Sequence, residues 1–140
     1  MRTRRDQGGR PWVATGVAGA LVVAAGLATA RYGSGAAADA LGDALYAALV
    51  TLLVGPALPR WSAPARAGLA LGLCWAVELA QLTGVPAAAA DAWPPLRYLL
   101  GTTFVATDLL WYAVGVLLAV CGTTLASRVG GARRTAVTPG

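Results

Sequence analysis

Between Pro11 and Ala30 the chain runs for 20 residues without a charge, PWVATGVAGALVVAAGLATA. At a helical rise of about 1.5 Å per residue, such a run reaches about 30 Å, the thickness of a bilayer's hydrocarbon core. Trp12 stands where an interfacial aromatic anchor belongs, and Pro11 is tolerated at a helix start. A cleavable signal peptide is the other reading of an arginine-rich start before an alanine-rich run. The apolar stretch exceeds the roughly 7–15 residues of a signal core, and more apolar runs follow, so it is expected to be retained.

Three more runs of this kind follow. The second covers about residues 41–58, where Gly55-Pro56 would kink or end a helix. The third covers about 67–84 and carries Glu78 and Gln81. The fourth covers 107–127, with Thr107 as cap of a helix beginning at Asp108. Residues 84–98 read as irregular, and Tyr98 to Phe104 as a short re-entrant or interfacial piece. A tilted helix continuous from Leu99 is the competing reading. The fold class is therefore an all-α polytopic transmembrane bundle with four principal spans. It forms one domain over 11–127, between basic tails at 1–10 and 128–140. Composition agrees: 12% of residues are charged, against about 25% in a soluble domain. The mean hydropathy is +0.63.

Four spans put both ends on one side, and the arginines say which. Arg2, Arg4, Arg5, Arg10, Arg60, Arg66, Arg128, Arg133 and Arg134 lie on one set of flanks; only Arg31 and Arg97 lie on the other. Nine against two, in short segments, orients both termini toward the cytoplasm. The net charge of +5 is thereby a topology signal rather than a nucleic-acid patch.

Other chemistry is thinly represented. The chain has no histidine, which removes imidazole bases and imidazole metal ligands. It has no glycine-rich phosphate loop and no paired-cysteine motif, so no cofactor or metal is expected. Cys74 and Cys121 read as buried small hydrophobes, and Gly68 with Gly72 as a close helix-packing pair.

The polar residues sort by depth. Arg31, Asp39, Asp43, Asp91 and Arg97 fall at the outer interface. Glu78 lies about 8 Å inside the outer end of the third span, and Asp108 opens the fourth from the same side. An unpaired carboxylate facing lipid costs several kcal/mol, so Glu78 should face the bundle and be paired or protonated. Depth alone groups Glu78, Gln81, Arg97, Asp108 and Tyr112, with Asp43 and Arg31 at the rim. Arg97 is the expected partner of Glu78, reaching inward from the interface. The cluster is either a network that holds helix register, a ligand-facing pocket, or part of an ion path. The inner half offers only Thr51, Thr123 and Thr124 to continue such a path.

These residues also carry a resemblance. Arg31, then Gly42-Asp43-Ala44-Leu45, Glu78 to Gln81, Arg97, Leu100-Gly101-Thr102-Thr103-Phe104 and Asp108 to Tyr112 and Gly115 follow one another in order. The pattern resembles an uncharacterised bacterial membrane-protein family, domain of unknown function 2809. In that family an acidic residue usually follows the Phe; here Val105 stands there. More distantly the order is similar to the VanZ-like proteins of the cell envelope. The resemblance implies architecture and no known activity.

The functional expectation is a non-enzymatic envelope protein that binds membrane lipid or an envelope-precursor headgroup from outside. An outer-leaflet enzyme using Glu78 or Asp108 as acid or base is the competing class. A structural or assembly subunit is the third.

Overall fold

The uncharged run is one helix, α1 (Pro11–Tyr32), in the computed structural model, which describes residues 11–101 and 103–135. Gly33 to Gly35 turn the chain, and Gly35 adopts φ 76 and ψ 176, a conformation open essentially only to glycine. Helix α2 (Ala36–Ala57) starts earlier than the sequence pattern indicates. Ala36, Ala37 and Ala38 are strong helix formers, and Asp39 in the first turn complements the helix dipole. Pro56 ends it one residue later, as expected.

Helix α3 (Ala63–Gln81) is set by its start. Ser62 accepts a hydrogen bond from the Ala65 N–H, and Pro64 sits in the first turn, where its missing N–H is harmless. The stretch expected to be irregular is helical instead. Gly84, at φ 74 and ψ −8, turns the chain through a left-handed conformation. Helix α4 (Val85–Ala92) then begins with Pro86 in its first turn. Pro86 starts a helix here rather than breaking one, and the run Ala87–Ala90 sustains it. A short 3₁₀ turn (Pro94–Leu96) and one helical turn, α5 (Arg97–Leu100), follow. The last helix, α6 (Asp108–Thr135), begins at Asp108 as expected, so no continuous helix runs from Leu99.

Helices α1, α2 and α6 are each long and apolar enough to cross a membrane. Helix α3 together with α4 makes a fourth such segment, bent by 85° between the two. The bent pair lies before the last span, but on residues 63–92 rather than at Tyr98 to Phe104, where the short interfacial or re-entrant piece is expected. Helix α6 continues past Ser127 to Thr135, so the start of the basic C-terminal tail is helical. The basic tail at 1–10 and residues 136–140 lie outside the described residues.

Packing centres on α2, α3 and α6, which contact one another; among the described helices α1 packs only on α2. The core is made of small residues and one aromatic: Ala47, Val54, Ala70, Cys74, Tyr112 and Val116. Small side chains let helix backbones approach, which drives association where lipid is as apolar as leucine. The closest approach is at Gly115, where an added Cβ would overlap the backbone of Ala44. Gly68 and Gly72, expected to serve this purpose, have no atom near their Cβ positions. Cys74 is fully buried, but Cys121 is exposed on the outside of α6, contrary to its reading as a buried hydrophobe. Leu21, Leu53, Leu117 and Leu118 also point outward, an arrangement suited to lipid.

Candidate binding site

Glu78 is the one charged residue buried among the described residues, at 0% exposure. Its position follows from α3: the face of Ala70 and Cys74, on the core side, carries it inward four residues later. One carboxyl oxygen accepts from the Val105 backbone N–H at 2.7 Å, and the other from the Tyr112 hydroxyl at 3.0 Å. Glu78 thus joins α3 to α6 and pins the loop between α5 and α6. The expected Glu78–Arg97 pair is replaced by these two contacts.

Its neighbours hold the same loop. Gln81 donates through Nε2 to the Leu100 carbonyl at 2.8 Å. Gly101 follows at φ 62 and ψ −176, and an added Cβ there would overlap the Gln81 amide. Glycine is therefore required twice at this position, by conformation and by space. On the outer side of α3, Trp75 donates from its indole to the Leu109 carbonyl at 3.1 Å. Tyr46 of α2 packs its ring against Tyr112, with centroids 6.1 Å apart.

These contacts leave a pocket of about 470 Å³ between α1, α2, α3, α5 and α6. Asp43, Glu78, Gln81, Arg97, Asp108 and Tyr112 all line it. These are six of the seven residues that depth groups together. Arg31 is the exception. It sits at the exposed end of α1, its guanidinium 5.4 Å from the centroid of the Tyr32 ring, and lines none of the cavities described here.

A second, larger cavity of about 1070 Å³ adjoins the first under the α1–α2 turn. Asp43, Arg97 and Asp108 line both, so these three stand at the neck between them. The carboxyls of Asp43 and Asp108 face each other there, with Glu78 within electrostatic reach. Two acceptors are left over: Asp43 Oδ2 and Gln81 Oε1 are buried atoms with no hydrogen-bond partner. Arg97 is exposed and makes no ion pair among the described residues. The opposite wall is apolar, from Val22, Val23 and Leu27 of α1 and Leu45 and Leu49 of α2.

Sequence reasoning missed the Val105 N–H, the Leu100 carbonyl and the α1 wall. The first two are backbone groups, which no residue type announces. Val105 itself looked like a departure from a pattern, yet its backbone supplies the contact. The α1 wall could have been sought in its bulky residues, but their spacing does not say which face meets α2.

A bundle of apolar helices with a polar pocket at one end defines a multi-pass bacterial membrane protein. The chain belongs to the family described as Protein of unknown function (DUF2809), which matches residues 32–116. The match begins just after Arg31 and takes in every other residue of the cluster. Neither the curated proteins nor the solved structures contain a match to the chain.

Proposed function

We propose that this protein binds the headgroup of a membrane lipid, or of a lipid-linked envelope precursor, in the pocket around Asp43, Gln81 and Arg97. The observation that carries the reading is the combination of two unlike surfaces in one cavity. Two buried acceptors lack donors and one guanidinium makes no ion pair among the described residues, while the facing wall is apolar. Among the described helices α1 packs only on α2, which would leave that wall accessible to lipid from the side. An amphiphile meets both surfaces; a free ion meets only the first.

The reading is of a binding protein rather than an enzyme. Glu78, the residue best buried for acid or base work, already engages both oxygens with the protein's own donors. The arginine distribution supports a bacterial inner membrane as the location, with both termini in the cytoplasm and the pocket on the outer side.

Purification in a mild detergent followed by mass spectrometry tests this. A lipid should stay with the protein and be lost with Arg97→Gln while the thermal melt is unchanged. Equal lipid content in both proteins, or none in either, would overturn the proposal.

A further inference from the structure

The pocket holds more carboxyls than cations, and that narrows what can enter it. Asp43, Glu78 and Asp108 bring three carboxyls against the single guanidinium of Arg97. Glu78 has both oxygens engaged, which leaves Asp43 Oδ2 and Gln81 Oε1 as buried acceptors without donors. A buried acceptor left unmade is costly, so a ligand gains most by bringing hydrogens to these two atoms. A metal ion does not suit the geometry. Among the described residues no three Asp, Glu or Cys side chains converge closely enough to hold one.

Common headgroup chemistries then separate. A headgroup carrying only negative charge would meet three carboxyls with one arginine to offset them. A quaternary ammonium brings positive charge but no N–H for either acceptor. A primary ammonium joined to a phosphate brings both: N–H donors toward Asp43 and Gln81, and phosphate oxygens toward Arg97. Resting on the reading of this pocket as a lipid headgroup site, we infer that it selects a phospholipid bearing a primary amine beside its phosphate. Acyl chains would follow the apolar wall of Val22, Val23 and Leu27, which gives the lipid an advantage over the free phosphoamine.

The test uses the full-length protein in detergent, loaded with phosphatidylethanolamine, its mono-, di- and trimethyl derivatives, or phosphatidylglycerol, all with the same chains. Retention is read by native mass spectrometry. The primary amine should be retained about tenfold over the trimethyl form, with retention falling as each N–H is replaced. Phosphatidylglycerol should be the weaker binder. Asp43→Asn should lower the preference for the primary amine, whereas Arg97→Gln should weaken the whole methyl series alike. The methyl series needs no variant, so a misfolded Asp43→Asn would not spare the inference. Equal retention across the series would overturn the selectivity and leave the headgroup reading standing. Retention of no lipid would overturn both. Equally tight binding of soluble phosphoethanolamine would overturn the lipid source.

Discussion

The Tyr112 hydroxyl on α6 donates to Glu78 Oε2 on α3 across 3.0 Å, where the carboxyl is wholly removed from solvent. This bond, with the Val105 N–H on the other oxygen, makes Glu78 the clasp between two helices and a loop. Tyr112→Phe leaves one buried oxygen unpaired and should destabilise the protein by about 1–3 kcal/mol. In double-mutant cycles Glu78→Gln should couple to Tyr112→Phe by about 0.5 kcal/mol or more. With Arg97→Gln it should be additive, and Val105 amide exchange should quicken in Glu78→Ala. Thermal unfolding in detergent and hydrogen exchange read these outcomes; stronger coupling to Arg97 than to Tyr112 would reject the clasp.

Helix contact through Gly115 offers a contrast within one protein. Gly115→Ala drives a methyl into the Ala44 backbone, so the helices must part, at a cost of about 1–3 kcal/mol. Gly72→Ala meets open space in mid-helix and should be neutral or stabilising by up to about 1 kcal/mol. Paired thermal melts decide this, and equal loss in both variants would contradict the packing.

The two cysteines should differ in reactivity. Cys74 is fully buried in the α2–α3–α6 core, while Cys121 faces outward. A membrane-permeant maleimide added to the folded protein should modify Cys121 before Cys74, slowly because a lipid-facing thiol ionises little, and Cys74 only after unfolding. Peptide mass mapping shows which thiol carries the label; early modification of Cys74 would place it elsewhere.

The proposed orientation follows from nine arginines on one set of flanks against two on the other. Reporters fused after residues 36, 63, 90 and 138 should read outside, inside, outside, inside. A C-terminal tag reached by protease in intact cells would reverse the assignment.

Much of the architecture is legible because lipid makes a simple demand: every buried backbone group must be bonded within its own segment. Long apolar runs then become helices, and Asp108 marks a start that the structure keeps, while α3 begins at Ala63, ahead of the expected 67. The same reasoning reads residues 84–98 as irregular, yet Pro86 opens α4, because proline stops a helix it enters late and helps one it begins.

Depth along a helix can be counted from sequence, since each residue adds a fixed rise. That count brought Asp43, Glu78, Gln81, Arg97, Asp108 and Tyr112 to one level, and the pocket contains all six. Partnership was not determined there, because residues at one depth can still point in different directions around their helices. The rotation of α3 and α6 about their axes turns Glu78 toward Tyr112, while Arg31 stays at the exposed end of α1. The path of residues 103–107 carries the Val105 N–H to Glu78, and a backbone donor has the same chemistry in nearly every residue. Sequence by itself therefore determined the spans and the level of the polar groups; only tertiary packing decided which of them touch.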